Sequence, residues 1–168
     1  MTTQQITTRV VSNTTPVSNF LRIGRLALLG EVFGDISIPV QVAEELERGE
    51  HVLGKWREAP GAERLVVLAP QDGPFLRQLE LQLDSGEAGA IALAVEHRAL
   101  LLMDEIAGRK VAAHHRLLLT GTLGVVAEAK RMGLVPAVRP LLEALASEGY
   151  HVSRALRARV LRDAGESD

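Results

Sequence analysis

Five carboxylates and one amide in this chain sit where chemistry is most easily built. Asn13 ends the first apolar run, and Asp104 ends a later one. Glu44 and Glu45 follow a second apolar run, and Asp84 and Glu87 open the helical stretch that precedes Asp104. If these runs are strands of one sheet, carboxylates from distant parts of the chain converge at one edge. Gathered like charges repel and raise one another's pKa unless something positive binds between them. A hard divalent cation such as Mg²⁺ or Mn²⁺ answers that need, because it takes oxygen ligands and keeps several waters. An ion so held can activate water and stabilise an in-line displacement at phosphorus.

The elements that must position these residues can be read in order. Arg9–Asn13 reads as a short buried strand, and Thr14, Thr15 and Pro16 as the helix start that follows it, with Pro in the first turn. Ile36–Ile38 is a second strand, with a helix from Pro39 through Val42 and Leu46 to about Gly49. Residues 50–64 carry the weakest pattern, with a short helix expected around Trp56. Leu65–Leu68 is a third strand, and Pro74–Leu83 is helical. Ser85 is expected to cap a helix from Gly86 to about Arg98. Leu100–Met103 is a fourth strand, Ile106–His115 a helix, Leu117–Leu119 a fifth strand and Thr122–Met132 a helix. Helices over Pro136–Ser147 and Ser153–Ala164 close the chain. Short apolar runs alternating with amphipathic segments predict a parallel sheet covered on both faces, with ligands beyond the carboxyl ends of the strands.

Composition narrows the classes. A chain of 168 residues supports one domain with a sizeable core. Aromatic residues are only 3%, which argues against bases stacked on an aromatic sheet. The absence of Cys excludes disulfides and thiolate zinc sites and fits a reducing cytosol, so a cytoplasmic location is expected. The N-terminus is polar and lacks the pattern of a targeting segment, and no apolar run is long enough to span a membrane. Net charge is −2 but uneven: from Ile106 to Arg162 there are 10 basic and 3 acidic residues. A basic flank beside an acidic front half suits a polyanion, although solvated helix faces give the same count.

Other motifs say less. The five His residues show no metal-ligand spacing, and His114-His115 reads as a surface pair. Thr120-Gly121-Thr122-Leu123-Gly124 has the makings of a small anion nest without the Lys of a phosphate-binding loop. Thr120, Thr122, Arg109 and Lys110 are therefore candidate phosphate contacts, although a solvated face accounts for Arg109 and Lys110 equally well.

Taken in order, these segments resemble the PIN-domain family. Asn13-Thr14-Thr15-Pro16 is similar to the Asp-Thr-Asn/Ser start of that family. Ile38-Pro39 through Val42-Ala43-Glu44-Glu45-Leu46 resembles its second acidic motif, and Gly86-Glu87-Ala88 with Ala90–Ala94 its third. Met103-Asp104-Glu105 with Gly108-Arg109 and Ala112 resembles its fourth. The tail, from Thr120-Gly121-Thr122-Leu123-Gly124 through Gly133-Leu134-Val135-Pro136 to Gly149-Tyr150, is similar to a bacterial and archaeal toxin–antitoxin-like branch. The likeness covers roughly residues 9–165.

The resemblance implies a three-layer α/β/α sandwich with a central, mostly parallel five-stranded sheet, in one domain over 1–168. Its core would span about 9–135, with a helical extension over about 136–165. It implies a metal-dependent endoribonuclease, commonly the toxin of a toxin–antitoxin pair. Glu45, Glu87 and Asp104 would be the acidic site, with Asn13 in place of the usual first Asp. Those four residues would bind Mg²⁺ or Mn²⁺ and carry catalysis on RNA, with Asp84 and Glu105 as outer carboxylates. Glu45 is preferred to Glu44 because it lies three residues beyond Val42, as in the family pattern; neighbours on a helix point about 100° apart, so only one should face the site. An antitoxin partner and a homodimer are implied as well. Asn13 lacks a charge worth about 4 kcal/mol against a unit charge 4 Å away at an effective dielectric near 20, before ion dehydration offsets part of it. The alternatives are a catalytically weak or inactive module that binds nucleic acid or protein, and a phosphatase for small phosphate esters.

Overall fold

In the computed structural model, which describes residues 9–167, the apolar runs pair as five strands. They are β1 (Val10–Ser12), β2 (Ile36–Pro39), β3 (Leu65–Leu68), β4 (Leu100–Leu102) and β5 (Leu119–Thr120). All neighbours are parallel, in the order β3-β2-β1-β4-β5. The polar N-terminal stretch, residues 1–8, and Asp168 lie outside the described residues.

Alternation along the strands divides the core. Val10 and Leu102 join one apolar cluster, whereas Val11, Leu101 and Met103 join the other. The first cluster takes in Val17 and Phe20 of α1 (Thr14–Arg22), Leu28 and Leu29 of α2 (Ala27–Phe33), and Val42 and Leu46 of α3 (Val40–Arg48). After α4 (Glu50–Leu53), the second cluster takes in Leu76 and Leu79 of α5 (Pro74–Glu80), the apolar run of α6 (Ser85–His97) and Ala112 of α7 (Ile106–His114). Val125 and Val126 of α8 (Thr122–Arg131), Leu141 and Leu145 of α9 (Arg139–Ser147) and Leu161 of α10 (Arg154–Asp163) return to the first. The result is a three-layer α/β/α sandwich whose sheet is wholly parallel.

The fifth strand is Leu119–Thr120 rather than Leu117–Leu119, the helix expected from Pro136 starts at Arg139, and two further features depart from the sequence reading. Residues 50–64 form α4 and two 3₁₀ turns, Trp56–Glu58 and Ala62–Arg64, rather than one helix around Trp56. Gly61 makes this compact: its φ is +98°, and a Cβ there would lie 2.4 Å from the Ala27 Cα. The cap of α6 is Asp84 rather than Ser85, because the Asp84 carboxylate accepts the Glu87 N–H while the Glu87 carboxylate accepts the Asp84 N–H. No helix among the described residues is long and apolar enough to cross a membrane.

Candidate active site at the carboxyl edge of the sheet

The sheet runs from β1 through β2 to β3 in one direction and from β4 to β5 in the other. The crossovers therefore diverge between β1 and β4, leaving a crevice at their carboxyl ends. Ser12 pairs with Leu102, and the Asn13 N–H donates to the Leu102 carbonyl at 3.0 Å. Asn13 and the Met103–Glu105 segment thus leave the sheet side by side. Asn13 Nδ2 donates to Glu105 Oε2 at 3.1 Å, and the Thr15 hydroxyl donates to the other Glu105 oxygen. The Asn13 carbonyl oxygen is buried and has no hydrogen-bond partner, although Asn13 is only 3% exposed.

Two helices bring further carboxylates to this crevice. Glu87, only 8% exposed, lies in the first turn of α6, where the helix dipole favours an acid. Its carboxyl is nevertheless raised above its ordinary pKa, first by burial and then by the charge of Asp84, with Glu105 and Glu45 adding to the effect. Glu45 lies on α3, half-buried, with its carboxylate accepting from the Thr14 hydroxyl; Glu44 is exposed, as the helical spacing demanded. Gly86 is what lets α6 pass: a Cβ there would lie 2.3 Å from Glu45 Oε1. Asn13, Glu45, Glu87 and Glu105 are therefore neighbours around one crevice.

Asp104 is engaged by the start of α8. Its Oδ1 accepts the Thr122 N–H at 2.8 Å and its Oδ2 accepts the Thr122 hydroxyl at 2.6 Å, with the Tyr150 hydroxyl 3.5 Å from Oδ1. Gly121 leaves it room, since a Cβ there would stand 2.5 Å from Oδ1. Burial raises the Asp104 carboxyl, while the Thr122 hydrogen bonds oppose that shift. Tyr150 is pushed upward by burial and by the Asp104 charge, which keeps its hydroxyl a donor. Asp104 thus ties β4 to α8 and to the segment after α9. Glu105, expected as an outer carboxylate, is the one hydrogen-bonded to Asn13.

The expected phosphate contacts divide in the same way. Thr122 is fully buried and accepts from Asn19 Nδ2 at 3.1 Å. The Thr120 hydroxyl packs against Gly124, and Arg109 turns back to donate to the Met103 carbonyl at 2.7 Å. Lys110 alone of the four is exposed. Thr14, Thr15 and Tyr150 were not anticipated; the only sequence signal for the two threonines was their place directly after Asn13.

The donors around the crevice are all oxygen, the chemistry that Mg²⁺ or Mn²⁺ selects. The orphaned Asn13 carbonyl and the mutually repelling Glu45, Glu87 and Glu105 fit such an ion. Their spacing is looser than a closed site, for among the described residues no three His, Cys, Asp or Glu side chains stand at metal-holding distance. Thr14, Thr15 and Asn13 Nδ2 occupy the carboxylates instead.

A doubly wound sheet with carboxylates gathered at its switch point places a candidate ligand site at the carboxyl edge. Residues 9–166 match the DUF3368 family, a PIN domain, and the chain belongs to that family. No curated protein and no solved structure matches it.

Proposed function

We propose that the chain is a divalent-cation-dependent endoribonuclease whose site is Asn13, Glu45, Glu87 and Glu105, with Asp104 as a positioning residue. The observation that carries this reading is the buried, unpartnered side-chain carbonyl of Asn13, whose amide nitrogen donates to Glu105, a carboxylate whose charge acts on Glu87 together with that of Glu45. A buried acceptor left empty costs about 1–3 kcal/mol, and an ion or its water would satisfy it. Membership of the PIN-domain family supports the reaction class, since these domains are generally metal-dependent ribonucleases.

The site residues would hold Mg²⁺ or Mn²⁺, which supplies a more acidic water and charge stabilisation at phosphorus. The protein's share is orientation. The α6 capping box fixes the Glu87 backbone, Thr14 and Thr15 aim Glu45 and Glu105, and the amide of Asn13 keeps Glu105 from swinging into solvent. A toxin role, an antitoxin partner chain and a homodimer extend this reading on the strength of the sequence likeness.

A specific observation favours a second reading. Asn13 contributes no charge, and the carboxylates are satisfied by neighbours without an ion. On that reading the fold is retained as an RNA-binding module with little hydrolysis. Cleavage of mixed-sequence RNA in Mn²⁺, in Mg²⁺ and with chelator separates the two. Metal-dependent cleavage lost in Glu87→Gln supports the nuclease; none at millimolar Mn²⁺ from folded protein supports the binding module.

A further inference from the structure

Beside the acidic crevice, α5 and α7 enclose an open cleft of about 380 Å³. Phe75, Gln78 and Gln82 line it from α5 and the turn that follows, and Lys110, His114 and His115 line it from α7 and its end. Its apolar floor is Leu79 and Val111. No carboxylate lines the cleft, and Lys110 forms no ion pair among the described residues.

Chain direction joins this cleft to the site. Gln82 precedes Asp84, the cap of α6, by two residues, and Lys110 follows Glu105 by five, about 7.5 Å along a helix. Gln82 and Lys110 therefore belong to the end nearer the carboxylates. Phe75 and His115, whose rings meet edge-on with centroids 5.2 Å apart, belong to the far end.

We propose that this cleft receives the single-stranded RNA that flanks the scissile phosphate, an inference that rests on the ribonuclease reading of the neighbouring site. Gln78 on α5 and Gln82 in the turn after it line one wall, and Lys110 and His114, one helical turn apart on α7, line the other. Amide side chains both donate and accept, which matches the edges of unpaired bases. Lys110 and His114 meet the phosphates. Leu79, Val111 and the Phe75 ring give a base an apolar surface without the aromatic sheet that this composition denies. A strand so held keeps its negative backbone on the basic wall and delivers one phosphate to the carboxylates.

The test is binding of a fluorescent single-stranded RNA of about twelve nucleotides, followed by anisotropy in chelator so that nothing is cleaved. Lys110→Glu is compared with Arg154→Glu, an equal charge change on the exposed start of α10. The cleft predicts that Lys110→Glu weakens binding about tenfold and lowers the salt slope by about 0.7, the share of one single-strand phosphate contact. Arg154→Glu should change affinity less than about twofold, and the double variant Gln78→Ala/Gln82→Ala should weaken binding without altering the salt slope. Equal RNA affinity in Lys110→Glu and the wild type, or equal losses in Lys110→Glu and Arg154→Glu, overturns the proposal. So does intact RNA binding with lost self-association, which would assign the cleft to a protein. The same proteins assayed for cleavage in Mn²⁺ separate the two readings. Wild-type cleavage with unimpaired Lys110→Glu removes the cleft and keeps the nuclease, whereas Lys110-dependent binding without cleavage keeps the cleft and removes the nuclease.

Discussion

Asn13 gives its amide N–H to Glu105 Oε2 at 3.1 Å while its own carbonyl oxygen stays buried and unpartnered. One side chain thus steadies a site carboxylate without a cation and keeps an acceptor ready for one. An Asp at this position would place a second negative charge against Glu105, and only a bound cation would relieve it.

Asn13→Asp should therefore have opposite effects in chelator and in Mn²⁺. In chelator the variant should melt below the wild type, by about 1–3 kcal/mol for the lost hydrogen bond and new repulsion. In Mn²⁺ it should regain stability, because a ligand bound only to the folded state stabilises it by mass action. Thermal melts across a Mn²⁺ titration check this; identical Mn²⁺ responses in the two proteins would contradict a metal role for position 13.

Glu105→Gln and Asp104→Asn should separate function from architecture. Asp104 accepts both the N–H and the hydroxyl of Thr122, so an amide there loses the charge that strengthens both bonds and forces the hydroxyl to turn from donor to acceptor. Its cost should be about 1–3 kcal/mol of stability, or several degrees in Tm for a domain of this size. Glu105→Gln should lose less stability and more Mn²⁺-dependent cleavage. Denaturation and cleavage measured on both variants check the assignment, and the reverse ranking would return Asp104 to the site.

Glu87 sets a pH dependence whose sign can be worked out. Burial and the charges of Asp84, Glu105 and Glu45 raise its folded pKa above the unfolded one. The folded state then binds the extra proton in the interval between the two values. Stability from this group is greatest below the unfolded pKa and falls as pH rises through the folded pKa. Glu87→Gln keeps the capping geometry, since Gln also serves at that position of the box. In chelator it should be more stable than wild type at neutral pH and should flatten the loss of stability above the acidic range. Urea denaturation as a function of pH measures both, and an unchanged pH profile would show that Glu87 is not under charge strain.

Gly86→Ala should disturb the site more than the fold. The added methyl meets the Glu45 carboxylate, the mobile end of a side chain, rather than backbone. Glu45 must swing away from Thr14, so cleavage should fall by an order of magnitude or so while stability changes by about 1 kcal/mol or less. Gly61→Ala is the contrast. There the Cβ meets the Ala27 backbone at a positive φ, and a loss of several kcal/mol is expected with no specific effect on metal response.

The sheet was legible because its strands are short apolar runs separated by helical periodicity, and that Asn13, Glu45 and Glu87 lie near one sheet edge followed from their places beside those runs. That Glu105 meets Asn13 while Asp104 meets Thr122 was not legible. Adjacent carboxylates at a strand end differ only in which way the chain turns after Met103, and that turn is fixed by Thr122 and Gly121, which lie far along the sequence. Residues 50–64 resisted for a related reason: their two 3₁₀ turns are too short to show periodicity and depend on Gly61 packing against α2. The cleft between α5 and α7 was invisible because Gln78 and Gln82 look like any solvated helix face until α7 is placed opposite them.

The central claim is that Asn13, Glu45, Glu87 and Glu105 form one metal-dependent nuclease site. The most direct measurement is cleavage of a mixed-sequence single-stranded RNA across a Mn²⁺ titration, with wild type, Asn13→Asp and Glu105→Gln in parallel. The account predicts cleavage that chelator abolishes, a midpoint at lower Mn²⁺ for Asn13→Asp, and loss of cleavage in Glu105→Gln. No cleavage by wild type or Asn13→Asp at any Mn²⁺ concentration, with all three proteins folded, would contradict it.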